Sequence, residues 1–439
     1  MQIIAIIPGL IALYVALAKS PAKAFLYVYL PTLFLLPDYY RLILAGFPDP
    51  TFNEAAILPI AAAYVLKDQV KWKFSVTDLL VTGLAVCIGY SQYLATGYND
   101  AQNLIFDTLC LIILPYALSK GLIEQHGLRV KVAKMFILIL LVVVVAEAYE
   151  FRFALNPFRR LFDPFFPGDM GRGWITVVRY GFGRAAGPYG HPILCGIILA
   201  TGFFIQRWLE RGKHWKSQKQ ARWITIAMVI GSLMTISRGP WIGAAIGSVV
   251  TAIGYARNRG KALVLVLVIG VVVGIPAYLG FQSYVSVGRE GATSATQETA
   301  AYRKELFDKY LKIAQEKAAW GWGQNTWPPV PGLPSIDNHF LNLALRHGFI
   351  ALGFFCVIIL AVTWRLGSYC IRSPRNAPGN SLAFTLLAAQ VAITISLATV
   401  FMGLQAEPLF FILCGWADAL VATEVAQQEP LFQFRRVLA

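Results

Sequence analysis

The sequence predicts an all-α polytopic membrane protein, and three observations support that class. Its 439 residues are 57% hydrophobic and only 14% charged, well below the ~25% charge of an ordinary globular domain. The mean hydropathy is +0.59. Apolar runs of about 16–22 residues recur along the chain, the length an α-helix needs to cross a bilayer with its backbone satisfied internally.

Taken in order, the apolar segments fall at 3–18, 24–37, 51–66, 75–96, 102–118, 134–150, 185–206, 223–237, 240–254, 262–281, 339–364, 381–403 and 408–424. They predict about 12 transmembrane helices (12–13, since the first two segments are short). The N-terminal run lacks a basic start and a small-residue cleavage site, so it reads as a first helix that stays. The organisation that follows is an N-terminal bundle over 1–281, a large polar loop over 282–338, C-terminal helices over 339–424 and a short tail over 425–439.

The formal charge of +15 does not point to nucleic acid, because the basic residues crowd into alternate short loops. Lys67, Lys71 and Lys73 share one; Lys120, Arg129, Lys131 and Lys134 another; Arg207, Arg211, Lys213, Lys216, Lys219 and Arg222 a third. Arg257, Arg259 and Lys261, then Arg365, Arg372 and Arg375, with Arg435 and Arg436 at the end, complete the series. Such loops face the cytoplasm, so 151–184, the tip 237–241 and the 282–338 loop face outward. The six cysteines lie in or beside apolar segments without CxxC or metal-type spacing, which predicts neither disulfides nor zinc.

The outward pieces carry the unusual chemistry. The 151–184 loop has Arg152, Arg159, Arg160, Arg172, Arg179 and Arg184 and no lysine. Arginine's planar fork grips phosphate oxygens in a bidentate way that lysine does not match, although anionic lipid head groups would also hold such residues. Arg238, between two short apolar runs, sits at the top of a helical hairpin. A charge at that depth is expensive and usually functional, unless it snorkels to the interface. The run 183–192 packs three glycines and two prolines around Arg184 and His191. Irregular backbone entering a membrane is tolerated only where it is buried in protein or lines a cavity.

In the 282–338 loop, Tyr302, Leu306, Tyr310 and Ile313 recur at helical spacing, predicting an amphipathic helix over 299–317 that lies on the rest of the protein. Trp320-Gly321-Trp322-Gly323 and then Pro328, Pro329, Pro331 and Pro334 are ordered-loop chemistry, and the whole reads as an active-site lid. It ends on Asp337-Asn338-His339, where Asp337 also suits a helix N-cap. Trp320, Trp322 and Trp327 serve equally as stacking platforms for sugar rings and as interface anchors.

Together these stretches resemble the O-antigen ligase and polymerase family of bacterial envelope enzymes. The resemblance covers about residues 75–415 and rests on Arg184, Gly187, His191 and Pro192, then on Ser237, Arg238 and Trp241, then on Arg303, Gly321, Trp322, Gly323, Asn338 and Gly348. Two departures stand out. The ligases' histidine position is occupied by Asp337, with His339 two places later, and the acidic position near the end is Arg346. Such variants look more like the polymerase and exopolysaccharide branch.

The resemblance implies a GT-C-like membrane glycosyltransferase in the bacterial inner membrane with its active site facing the periplasm. It implies transfer of glycan from an undecaprenyl-diphosphate-linked donor to a saccharide acceptor hydroxyl, with no metal and no cofactor, as an O-antigen or exopolysaccharide polymerase. The alternative is a ligase transferring glycan to lipid A-core. On this reading Arg184, Arg238 and Arg303 bind the diphosphate, Asp337, His339 and His191 are the candidate bases, and Asn338, Trp322 and Trp327 contact sugar. A flippase of lipid-linked sugar is a further alternative, but transporters carry paired broken helices, and only 183–192 is clearly broken here.

Overall fold

The computed structural model of the chain describes residues 2–44, 46–67, 72–167, 175–324, 326–333, 335–374, 377, 379–403 and 405–428. Lys71, Arg172, Pro334, Arg375, Arg435 and Arg436, and all of the tail beyond 428, lie outside the described residues. The rest is mostly helical, and every apolar segment of the sequence contains a helix, although the segment at 185–206 opens on irregular backbone as far as His191.

The helices are α1 (Ile7–Ala18), α2 (Pro21–Leu35), α3 (Phe52–Lys67), α4 (Val76–Thr96), α5 (Tyr98–Leu122), α6 (Arg129–Phe153), α7 (Pro192–Arg211), α8 (Gln218–Met234), α9 (Arg238–Tyr255) and α10 (Arg259–Ser286). They continue as α11 (Ala295–Glu316), α12 (His339–Arg372), α13 (Asn380–Leu397) and α14 (Ala406–Gln428). Among the described residues, 8 helices are long and apolar enough to cross a membrane alone: α4 to α7, α10 and α12 to α14. The chain is a multi-pass membrane protein. Of the other helices of the expected dozen, α1, α2, α3 and α8 are shorter, and α9, as long as α13, is less apolar.

α7, α13 and α14 form the centre, each with more than three quarters of its apolar stretch buried, whereas that of α10 is wholly exposed. The most extensive helix pair is α9 on α13. A Cβ on Gly243 would lie 2.5 Å from the Ala392 carbonyl oxygen, and one on Gly247 2.7 Å from that of Ala388. Small residues four apart let the two backbones touch, which is how helices associate where lipid supplies no hydrophobic drive.

The two ends of the bundle differ. At the end carrying the basic loops, buried charges tie the helices together. Lys120 of α5 meets Asp78 of α4 at 2.6 Å and Asp418 of α14 at 2.7 Å, and Arg365 of α12 also reaches Asp418. The opposite end bears the long loop, the 151–184 segment and the tip between α8 and α9. There the chain makes its one short hairpin among the described residues, β1 (Val178–Arg179) with β2 (Phe182–Gly183).

Candidate active site

The long loop docks through a break in α12. Gly348 has φ +80°, so the helix is interrupted after its first nine residues and the carbonyls of Leu345 and Arg346 lose their helical donors. The loop replaces them. Trp322 N–H donates to Leu345 O at 2.9 Å and Gly323 N–H to Arg346 O at 2.8 Å, while Phe349 N–H reaches back to Ala318 O at 2.7 Å. The approach is backbone on backbone. A Cβ on Gly348 would lie 2.1 Å from Ala319 O, and one on Gly321, itself at φ +68°, would lie 2.5 Å from Arg346 O. The Gly-Trp-Gly element and Gly348, far apart in sequence, are one device.

α11 then lies on the first turns of α12 as expected. Leu306, Tyr310 and Ala314 pack with Leu333, Ile336, Leu341, Ala344 and Leu345, flanked by Tyr302 and Ile313. Tyr310 Oη donates to Leu333 O at 2.8 Å. Arg303 is on the exposed side of this helix.

Across the same end, Glu150 of α6 shapes the 184–191 run by accepting from the N–H groups of Ala186 and Gly187 at 3.0 and 2.9 Å. Arg184 is thereby carried under the α8–α9 tip, buried, with Nε on Thr235 O at 3.5 Å and Nη2 on Ser237 Oγ at 3.2 Å. Burial and the neighbouring Arg179 pull its pKa down to about 10, which still leaves it charged at neutral pH. Ser237 stands at the N-cap of α9 yet does not cap it; its hydroxyl donates to Thr235 O at 3.0 Å. The Ser237 side chain thus caps none of the first N–H groups of α9, and Arg238 beside them is exposed.

His191 caps α7, its Nδ1 accepting from Ile193 N–H at 3.1 Å. Burial and the charge of Arg184 lower its pKa to about 4, so it is neutral in the physiological range. Its single ring proton then sits on Nε2.

The segment after α13 joins these pieces. Thr399 packs on Gly239, Met402 N–H donates to His339 Nδ1 at 3.1 Å, and Gln405 Nε2 donates to Leu36 O at 3.0 Å and Pro188 O at 3.4 Å. Three residues of extended chain reach at most about 10 Å, so Met402 places the start of α12 close to the arginine-bearing tip. His339 is buried, edge-on to Phe355 at 4.9 Å, and its Nε2 has no partner. Asn338, not Asp337, caps α12, accepting from Leu341 N–H at 3.1 Å. Asp337 is half-buried just outside it. Trp322 donates to Ile313 O at 2.9 Å under the Lys317 ammonium, and Trp327 lies beneath the Arg346 guanidinium, so both rings pack within the loop.

Between the start of α12 and the 401–403 segment lies a cavity of about 220 Å³. It is lined by His339, Asn342, Arg346 and His347 from α12, Asp38 and Arg41 from the link after α2, Asp107 from α5 and Glu407 from α14. Arg41 forks onto Asp107 at 2.9 and 3.0 Å, and burial raises the Asp38 pKa to about 6. Of these residues only His339 is a predicted site residue. The available signal was the presence of ionisable side chains within or beside apolar segments, Asp107, Arg346 and His347 above all.

Residues 223–356 match the family model described as O-antigen ligase. Over that stretch the chain is similar to O-antigen ligases. No curated protein matches the chain. The matched segment runs from α8 past Gly348 and so takes in the tip with Arg238, the loop with Arg303 and the cavity's His339, Arg346 and His347. Arg184, His191 and the cavity's Arg41 and Asp107 lie outside it and are brought to it by the fold.

Proposed function

We propose that the protein is a membrane glycosyltransferase that joins glycan repeat units at the loop-bearing, periplasmic end of the bacterial inner membrane. It draws them from an undecaprenyl-diphosphate-linked donor and passes them to a saccharide acceptor hydroxyl. The observation that carries this reading is the α8–α9 tip. The start of an 18-residue helix that its N-cap side chain does not cap, the exposed Arg238 and the buried charge of Arg184 converge on one spot. Helix N-termini attract anions, and arginine forks suit phosphate oxygens.

A diphosphate leaving group gains negative charge as the anomeric bond breaks. Fixed cations in a site sheltered from water lower that barrier without reorganising. Arg238 contacts the diphosphate, Arg184 braces the tip from beneath and adds its charge, and Arg303 on α11 approaches when donor is bound. His339, whose Nδ1 accepts Met402 N–H and whose Nε2 has no partner, is positioned to donate to a substrate oxygen, and His191 stands beside Arg184 at the same end.

Polymerisation is favoured over transfer to a lipid core by the Asp337 and Arg346 departures. Purified protein in liposomes with the lipid-linked repeat unit is expected to yield a product ladder from donor alone. A single shift that requires added core oligosaccharide would make the protein a ligase. Absence of transfer in both cases, with lipid-linked sugar crossing the bilayer, would make it a flippase.

A further inference from the structure

Resting on that transferase reading, we propose that the cavity at the start of α12 is the acceptor-sugar site and that His347 Nε2 is the base for the attacking hydroxyl. The lining suits a polyol. Each sugar hydroxyl both donates and accepts, and Arg41, Arg346 and Asn342 face Asp107 and Glu407 around one space, with Phe401 as an apolar wall. The carboxyls make it a poor home for the diphosphate, which belongs at the neighbouring tip.

The two histidines of the cavity are held in opposite senses. Met402 N–H donates to His339 Nδ1, so in the neutral ring Nε2 carries the proton and is a buried donor awaiting an oxygen. Arg346 Nε is a second buried donor without a partner. His347 is different. Its Nδ1 lies 2.6 Å from Ser91 Oγ, and Ser91 lies 2.9 Å from Ile88 O, which can only accept. We assign the serine hydrogen to Ile88 O, so that Ser91 accepts from His347 Nδ1–H. That chain leaves the Nε2 lone pair as the proton acceptor, oriented by a partner on another helix in the way an activated base requires.

The step balances. The acceptor O–H proton passes to His347 Nε2, and the hydroxyl oxygen bonds the anomeric carbon. The bond from that carbon to the diphosphate oxygen breaks, and its electron pair leaves on the diphosphate beside Arg238.

The test measures single-repeat transfer in liposomes for the natural chain, Arg238→Ala, Asp337→Asn, His347→Asn and His347→Ala. Asparagine keeps a donor for Ser91 but has no basic nitrogen. Removing a general base lowers turnover about 10²–10⁴-fold. The expected result is that loss in kcat for His347→Asn with donor KM unchanged, and partial recovery of His347→Ala by added imidazole. An active His347→Asn alongside a dead Arg238→Ala would overturn the base assignment and leave the transferase reading standing. A dead Asp337→Asn would return the role to Asp337, and a loss that imidazole does not recover would make His347 structural. No transfer by the natural chain would overturn both.

Discussion

His191 shows how one side chain reports on its surroundings. Its ordinary pKa of 6.5 falls to about 4 in the fold because the ring is buried beside Arg184. Between those values the unfolded chain binds more protons than the folded one, so stability declines as pH drops through that window. Asp38, raised by burial from 3.8 to about 6, acts in the opposite sense and partly masks the effect. Comparison with His191→Asn isolates it, since asparagine still caps α7. The variant should lose less thermal stability than the natural chain between about pH 7 and about pH 5 in detergent; equal losses would contradict the account. His191 and its arginine neighbour were legible in the sequence because glycines and prolines crowd around them. Arg41 and Asp107 were not: they pair across 66 residues, a separation no local pattern encodes, and His347 looks like any core histidine until Ser91 is seen beside it.

At the level of elements, the interrupted α12 explains why glycines recur at both ends of the loop. The sequence marks Gly321, Gly323 and Gly348 as motif positions, yet it reads 339–364 as an uninterrupted span. The break is invisible there because a lone glycine in an apolar run is compatible with a continuous helix. Only the positive φ and the close carbonyls show that loop and helix share one hydrogen-bonded joint. Gly348→Ala would force a Cβ into the Ala319 carbonyl in a left-handed conformation, destabilising the joint by more than about 1 kcal/mol. Trypsin should then cut faster at Lys317, next to the joint, while the helices of the bundle remain protected. Unchanged cleavage would show that the loop is held by α11 packing alone. The amphipathic stripe of α11 was read correctly from its spacing, since burial of Leu306 and Tyr310 follows from helical period alone.

Across the whole molecule, charge is placed differently at the two ends. The end with the basic loops closes its buried charges into pairs: Lys120 with Asp78 and Asp418, and Arg129 with Glu124 and Glu424. The loop-bearing end keeps Arg238 exposed and leaves Arg346 Nε and His339 Nε2 without partners. Lys120→Met would leave Asp78 without its cation and Asp418 with Arg365 alone and should cost about 3–5 kcal/mol, read as a lowered melting temperature. Below that temperature, transfer should persist, because the site lies at the opposite end. Loss of activity in a folded Lys120→Met protein would contradict that separation. The helical membrane class and the order of its segments were legible from hydropathy. Among the described residues eight helices carry that signal clearly, whereas the remaining helices are too short or too little apolar to carry it alone.

The most direct test of the central claim measures release of polyprenyl diphosphate from a lipid-linked repeat unit in liposomes, for the natural chain and for Arg238→Ala at matched folded protein. The account predicts release with glycan transfer by the natural chain and a loss of about 10²–10³-fold in the variant, the scale of removing one fixed transition-state donor. Equal release by both proteins would contradict it.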